Sequence, residues 1–299
     1  MITTTSLTKK FDDFIALNEF NASIPDGCIY GLVGSNGSGK STLLRLISGI
    51  YRPDAGSIEI DGQTPYENNA VKSQIFHVSD ELYFFPGARL EDMASFYEQI
   101  YPGFDRETYR EMCGRFPIDP KKKIATFSKG MKRQVSLILG LACRPKYLLL
   151  DEAFDGLDPV IRIGFRKLLA DQMASRDLTV VIASHNLREL EDLCDYMGLL
   201  HQGRVIFQRE IDQANLGFCK VQVGFHELPA DDAFAPLDIL RKDRTGSVVR
   251  LIVRGRSDEV QQYLHTLRPL FVETIPLTLE EVFIHEMEAV GYDYNKIIF

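Results

Sequence analysis

The sequence predicts an α/β core followed by a small α+β domain, and three observations favour this fold class. Two apolar runs, at residues 147–150 and 178–183, have the composition of strands that are buried on both faces, as in a parallel sheet. Segments of helical texture alternate with these runs, which is typical of α/β proteins. The composition shifts near residues 209–216, and beyond that point strand-like runs recur, one of them after a turn signal at Thr245-Gly246.

The elements follow in order along the chain. Strand-like runs broken by Gly, Asp and Pro occupy about the first 75 residues, and one of them, residues 57–60, enters a tight turn at Asp61-Gly62. The texture becomes helical between about residues 82 and 143, with breaks at prolines. In the second domain the sequence predicts strands at residues 221–223 and 247–253 and helices at residues 258–267 and 279–289.

Size and charge limit the possible functions, because 299 residues suffice for one large and one small domain. A net charge of -8 argues against nucleic acid as a partner. No apolar run is long enough to cross a bilayer, and the first residues show no signal segment. We therefore expect a cytoplasmic chain that reaches a membrane only through a partner. Five scattered cysteines without a C-x-x-C pair indicate reduced thiols, and no zinc, haem or disulfide framework.

The segment after residues 28–33 fits the phosphate-loop pattern G-x-x-x-x-G-K-[ST]. Its glycines let backbone N–H groups point at phosphate oxygens, and the helix that follows adds its positive N-terminal end. Lys40 would reach the outer phosphates, and Ser41 would hold Mg²⁺. An apolar strand before the loop and helical spacing after it argue against a chance match. The predicted nucleotide-binding residues of this loop are Ser35, Asn36, Gly37, Ser38, Gly39, Lys40, Ser41 and Thr42.

Two carboxylates, Asp151 and Glu152, directly follow the apolar run at residues 147–150. Ligands in open α/β sheets collect at the carboxyl ends of strands, so Asp151 is a candidate ligand of Mg²⁺ and Glu152 a candidate base for an attacking water. His185 ends the other central run and could donate to the terminal phosphate or to the water. An acidic pair after a strand is by itself more often a solvated turn, but the upstream phosphate loop favours the functional interpretation.

Two further motifs complete a family resemblance. Phe-Ser-Lys-Gly-Met at residues 127–131 lies just upstream of the acidic pair, and Gly-Leu-Asp-Pro at residues 156–159 lies just after it. With the phosphate loop and His185, their order and spacing resemble the ATPases of ATP-binding cassette (ABC) transporters. The resemblance covers residues 1 to about 210, and residues 276–283 are similar to the closing motif of C-terminal extensions in exporter ATPase subunits.

This resemblance implies a P-loop NTPase core with an antiparallel β subdomain and a helical subdomain. It implies an ATPase that uses ATP and Mg²⁺, lies on the inner face of the cell membrane, and works with an integral membrane permease subunit. Two cassettes, identical or different, would form a head-to-tail sandwich with ATP at each interface. Ser128 and Gly130 would then bind the terminal phosphate held by the other subunit, and Asp158 would communicate across the interface. The predicted domains are residues 1–212, with the helical subdomain at about 82–143, and residues 213–299.

The chain departs from the family pattern at several positions. Lys129 and Met131 replace a glycine and a glutamine of the usual signature, while Ser128 and Gly130 keep their donors. Phe11 stands where many members carry an adenine-stacking tyrosine, and it is predicted to stack or, alternatively, to be an ordinary apolar side chain. Asp80 stands where a glutamine often contacts Mg²⁺ and senses the membrane subunit.

The aromatic stretch at residues 83–86 is expected either to receive a helix of the membrane subunit or to pack inside the helical subdomain. Two other functions compete with a transport ATPase. One is a soluble nucleotide switch that acts on ribosomes or DNA, but this acidic chain has a single cassette and no long inserted coiled coil. The other is a nearly inactive regulatory cassette, and the joint presence of Lys40, Asp151, Glu152 and His185 argues against it.

Overall fold

The computed structural model describes the chain except for residues 117, 188–189, 191–192, 212–216, 279, 283 and 285–299. The chain divides into two compact units, Met1–Gln208 and Arg209–Phe299. The predicted domain boundary at residues 212–213 lies outside the described residues. Among the residues that are described, no helix is both long and apolar enough to span a membrane.

A six-stranded sheet forms the centre of the first unit, in the order β5-β6-β7-β3-β8-β9. Neighbouring strands from β5 to β8 run parallel, as the two apolar runs predict. Because parallel strands end at one edge, residues that follow β3, β6 and β7 come together there. The strands are β3 (Ile29–Val33), β5 (Ile75–Val78), β6 (Tyr147–Asp151), β7 (Thr179–Ser184), β8 (Tyr196–His201) and β9 (Arg204–Glu210).

A second, antiparallel sheet has the order β2-β1-β4 and consists of β1 (Ile2–Phe11), β2 (Phe14–Ile24) and β4 (Ala55–Ile60). Its apolar side chains share one core with residues of β3 and of the helix that follows the phosphate loop. The turn between β1 and β2 uses Asp12 in the left-handed region, with φ of 50°, and brings Phe11 opposite Phe14. This sheet is the antiparallel subdomain that the resemblance implies.

Helices of the first unit are α1 (Lys40–Ile47), α2 (Asn69–Lys72), α3 (Leu90–Ile100), α4 (Arg106–Arg115), α5 (Lys129–Ala142) and α6 (Pro159–Ser175). Within the described residues, α3, α4 and α5 fall in the segment where the sequence predicts helical texture. Helix α5 packs against α3, α4 and β5, so it links the helical region to the central sheet. Its buried face is apolar apart from Arg133 and Gln134.

The second unit has a four-stranded antiparallel sheet in the order β11-β12-β10-β13. Its elements are β10 (Phe218–Gly224), β11 (Asp238–Thr245), β12 (Val248–Arg254), α7 (Ser257–Thr266) and β13 (Phe271–Ile275). Val260 and Leu264 of α7 pack on one face of the sheet against a core that includes Val221 and Leu251. This α+β architecture agrees with the sequence-based prediction. Most of the helix predicted at residues 279–289 lies outside the described residues.

Candidate functional site

The loop between β3 and α1 is shaped by close backbone contacts. A Cβ at Gly34 would lie 2.3 Å from the carbonyl oxygen of Leu200, so no side chain fits there. Gly39 caps α1 with φ of 109°, and a Cβ there would lie 2.6 Å from the carbonyl oxygen of Ala16. Both positions therefore require glycine, and the loop's path depends on them.

Lys40 is buried at the start of α1, and its side chain turns back over the loop. Its Nζ donates to the carbonyl oxygens of Gly34 at 2.7 Å and Ser35 at 3.2 Å. The same Nζ lies 3.8 Å from Oε1 of Glu152. Burial lowers the pKa of Lys40, while the charges of Glu152 and Asp151 oppose that shift. The ammonium group is thus held between the loop and the carboxylates at the end of β6.

A pocket of about 210 Å³ opens at this edge of the sheet. It combines backbone from the loop with side chains from the β1–β2 hairpin and from the ends of β5 and β6. Its lining residues are Phe14, Ala16, Asn36, Gly37, Gly39, Lys40, Ser41, Thr42, Asp80 and Glu152. Two predicted loop residues are absent from this lining: Ser35, which is exposed and whose carbonyl accepts from Lys40, and Ser38, which is buried.

Asp151 ends β6 with only 1% of its surface exposed. Neither carboxylate oxygen has a hydrogen-bond partner among the described residues. Burial raises the pKa of Asp151 and the charges of Glu152 and Asp80 add to the rise, whereas the Ser41 hydroxyl and the charge of Arg45 oppose it. A buried carboxylate without partners is costly, and its oxygens are the donors that Mg²⁺ prefers. The residues present therefore fit a magnesium ion.

Glu152 lies at the turn after β6 and reaches two other predicted residues. Its backbone has φ of 49°, in the left-handed region, and its N–H donates to the carbonyl oxygen of Ala183 at 2.9 Å. Its Oε2 lies 3.0 Å from Nδ1 of His185, which follows β7. An uncommon backbone conformation of this kind persists only where the surroundings fix it, and functional sites are where such conformations cluster. The fold thus brings Lys40, Glu152 and His185 together at one edge.

Comparison with known proteins agrees with this geometry. Residues 17–155 match the family model described as ABC transporter. The chain is 33% identical to the ABC transporter ATP-binding protein YtrB of Bacillus subtilis (strain 168), over 95% of this chain and 97% of that protein.

This chain belongs to the ABC transporter family. It is an ATP-binding subunit with ATPase activity. It is also 29% identical to the bacitracin transport ATP-binding protein BcrA of Bacillus licheniformis, over 71% of this chain and 70% of that protein. A solved structure of an ATP-binding subunit of an ABC transporter has the same fold, with a TM-score of 0.67, 24% identity, and coverage of 72% of this chain and 92% of that one.

Two phenylalanines of the β1–β2 hairpin of this ABC ATPase, Phe11 and Phe14, have different surroundings. Phe14 lines the pocket together with Ala16, and it is 60% exposed. Phe11 instead packs edge-on against Tyr51, with ring centroids 5.3 Å apart, and the ammonium of Lys9 lies 5.4 Å from its centroid. Phe11 is absent from the residues that line the pocket. Stacking by Phe11 stays a prediction, and sequence reasoning missed Phe14, which the turn between β1 and β2 pairs with it.

Asp80 lines the pocket, as its predicted place near the metal requires, but it also has a partner that sequence reasoning missed. Its Oδ1 accepts a hydrogen bond of 2.8 Å from Nη2 of Arg133, a residue of α5 that is fully buried. Lys129, one of the departures from the family signature, lies 3.2 Å from Asp155 in the same chain. A clue was present in the sequence: Lys129 and Arg133 both follow Ser128 and are four residues apart, which places them on one face of a helix.

Ser128, Gly130 and Asp158 do not line the pocket of their own chain. Ser128 caps α5 by accepting from the N–H of Met131 at 3.3 Å, and Asp158 caps α6 by accepting from the N–H of Val160 at 2.8 Å. A Cβ at position 130 would lie 2.8 Å from the carbonyl oxygen of Gly156, so glycine is needed there. Both caps are exposed and could contact a second chain.

Proposed function

We propose that this ATPase drives transport, in the export direction, through a separate integral membrane permease that it binds on the inner face of the cell membrane. The observation that carries the proposal is the convergence of Lys40, Glu152 and His185 beside a pocket walled by the phosphate loop. A cation for the phosphates and a base for water therefore share one edge of the sheet. The export direction follows from the likeness of the motifs to exporter ATPases.

Mg²⁺ would be held by Asp151 and Ser41, with Asp80 beside them. The buried, unpartnered oxygens of Asp151 support this assignment. When bound, the ion would neutralise charge on the phosphates. The chain's own groups do the remaining work, since backbone N–H groups of residues 35–42 and the ammonium of Lys40 bind the phosphates.

Glu152 is the proposed general base, and His185 the residue that orients it. The distance of 3.0 Å between them fits a hydrogen bond that fixes the carboxylate. The ammonium of Lys40 lies 3.8 Å from the other carboxylate oxygen, Oε1, so each oxygen of Glu152 faces a polar group. Glu152 would take the proton of the attacking water, and His185 would contact the terminal phosphate.

A second cassette completes the proposed site. Ser128, Gly130 and Asp158 lie outside the pocket of their own chain, which supports an action on the partner's nucleotide. ATP would bind more tightly to the closed pair than to the open one, so binding closes the pair and hydrolysis reopens it. This difference in affinity would drive the conformational change of the permease.

An exposed aromatic cluster is the proposed contact with the permease. Tyr83, Phe85 and Phe96 are 74%, 42% and 37% exposed, and their rings contact one another in edge-on geometry. A groove of about 230 Å³ runs beside Tyr83 and Phe85, with Lys132 on its wall. Exposed aromatic clusters of this kind commonly mark protein interfaces.

Two measurements test the proposal together. The purified chain should hydrolyse ATP in the presence of Mg²⁺ and lose this activity in excess EDTA. Affinity purification from native membranes should recover a multi-spanning protein, and Tyr83→Ser/Phe85→Ser should reduce its recovery. Recovery of ribosomes instead would favour a soluble nucleotide switch, and export is supported only if ATP drives cargo into inside-out vesicles that contain both subunits.

A further inference from the structure

The pocket of this ATPase contains an excess of negative charge before any nucleotide enters. Asp80 and Glu152 line it, and Asp151 lies buried at the same edge. Lys40 is the cation that lines the pocket. The phosphates of ATP would add several negative charges, and a carboxylate at position 80 should repel them unless a cation neutralises it.

Arg133 is the cation nearest to Asp80 among the described residues. Its guanidinium is 0% exposed, and Nη2 donates to Oδ1 of Asp80 at 2.8 Å. Its Nε and Nη1 have no hydrogen-bond partner among the residues that the structure describes. A buried guanidinium with so few partners depends strongly on each carboxylate that it contacts.

Asp155 is the other carboxylate near Arg133, but it already has a cation of its own. It lies 3.7 Å from Nη2 of Arg133 and 3.2 Å from Nζ of Lys129. Lys129 and Arg133 are four residues apart on α5, so the two cations face the two carboxylates from the same side of the helix. Of its two carboxylate contacts, Arg133 has the shorter one with Asp80, at 2.8 Å against 3.7 Å for Asp155.

We propose that Arg133 is a positioning residue that neutralises Asp80 and holds its carboxylate at the pocket wall, so that this carboxylate can face ATP without repelling it. The inference rests on the proposed nucleotide site. The side chain that has this role belongs to α5 and is absent from the pocket lining. Neutralisation by Arg133 lets the chain carry a carboxylate at position 80.

Calorimetric titration of ATP into the purified full chain tests this role, in EDTA and at low salt. Arg133→Met keeps a buried side chain of similar length but removes the charge, so ATP affinity should fall about five- to tenfold. Asp80→Asn added to Arg133→Met should restore the affinity to within about twofold of the wild type, because the uncompensated charge is gone. The loss should shrink at high salt, since partly exposed charges are screened.

A matched control is Arg176→Met, which removes another largely buried guanidinium, one that donates to the carbonyl oxygen of Pro145 at 2.6 Å. It should leave ATP affinity unchanged. Unchanged affinity of Arg133→Met, or a loss that Asp80→Asn does not rescue, would overturn the inference alone. A wild-type chain that fails to bind ATP would overturn the proposed function and the inference with it.

Thermal unfolding gives a second test that does not need the Arg133 variant to fold. Asp80→Ala removes the acceptor of the buried guanidinium, whereas Asp80→Asn keeps an oxygen for Nη2. The melting temperature should therefore fall more for Asp80→Ala than for Asp80→Asn. Equal melting temperatures of the two variants would show that Arg133 does not depend on Asp80.

Discussion

Oε2 of Glu152 lies 3.0 Å from Nδ1 of His185, although the two residues are 33 positions apart in sequence. They meet because β6 and β7 are parallel neighbours and each residue directly follows its strand. The contact joins the proposed base to a group that can orient it, so ATP turnover should depend on the carboxylate of Glu152.

Glu152→Gln should slow turnover strongly while it keeps ATP binding. The amide has the shape of the carboxylate but cannot accept the proton, so kcat should fall by at least about 100-fold. Phosphate release measures kcat, and calorimetry measures ATP affinity. Glu59→Gln changes an exposed residue of β4 and serves as the control. Normal turnover of Glu152→Gln would rule out its role as the base.

Most residues at this edge of the sheet can be predicted from the sequence, because local patterns mark the strands and the residues that follow them. The runs at residues 147–150 and 178–183 are apolar apart from Thr179, so they predict parallel central strands, and the predicted fold class is confirmed. Because parallel strands of an open α/β sheet end at one edge, residues that follow them are expected to lie close together. This places Asp151, Glu152 and His185 near the phosphate loop without knowledge of any contact.

Pairs that depend on long-range packing could not be predicted in this way. Arg133 reaches Asp80 across 53 residues, because α5 packs against β5. Helical spacing predicts which residues share a face with Arg133, but it does not say what lies opposite that face. Phe14 was missed for a related reason, since its place on the pocket depends on how the β1–β2 hairpin lies over the phosphate loop.

Alanine variants of Phe14 and Phe11 should differ in their affinity for ATP. Phe14→Ala should weaken ATP binding at least about fivefold, because a base that stacks on an aromatic ring gains roughly 1–3 kcal/mol. Binding of inorganic tripolyphosphate, which has no base, should not change. Phe11→Ala is the matched variant, and we expect a smaller effect because its ring already packs against Tyr51. A larger loss for Phe11→Ala would support the sequence-based prediction instead.

Asp151→Asn should stabilise the metal-free protein while it removes Mg²⁺-dependent activity. Burial raises the pKa of Asp151 above that of an unfolded aspartate, so the folded state binds its proton more tightly than the unfolded state. The contribution of Asp151 to stability is therefore greatest at low pH and is lost as the pH rises through the raised pKa. At neutral pH in EDTA, the melting temperature of Asp151→Asn should exceed that of the wild type.

The control for this prediction is the same comparison below about pH 3, where the carboxyl is mostly protonated in both states and the two melting temperatures should converge. Excess Mg²⁺ with ATP should stabilise the wild type more than the variant. A lower melting temperature of Asp151→Asn at neutral pH would mean that the ionised carboxylate has a partner that stabilises it.

Shared ATP sites predict recovery of activity on mixing. Lys40→Ala removes the cation of the phosphate loop, and Ser128→Arg blocks the cap that is expected to contact the other chain. Each variant alone should be inactive, whereas a mixed dimer keeps one intact composite site. If one site suffices, phosphate release should return on mixing. Activity that stays strictly linear in wild-type protein concentration down to monomeric conditions would contradict shared sites in the isolated subunit.

Asp80→Asn should change coupling to the permease more than it changes nucleotide binding. In the wild type Arg133 already neutralises much of the carboxylate, so loss of that charge should leave ATP affinity within a few-fold, on the order of 1 kcal/mol. The amide keeps an acceptor for Arg133 but loses the charge of the contact, which ties the end of β5 to α5. The exposed aromatic residues Tyr83 and Phe85 follow Asp80 closely in the segment after β5. A permease that moves this segment would therefore act on a weakened contact between position 80 and Arg133. Stimulation of ATPase activity by the permease should therefore change, measured with and without it in detergent or lipid. A large loss of ATP binding with unchanged stimulation would make Asp80 a primary ligand of the nucleotide site rather than a coupling residue.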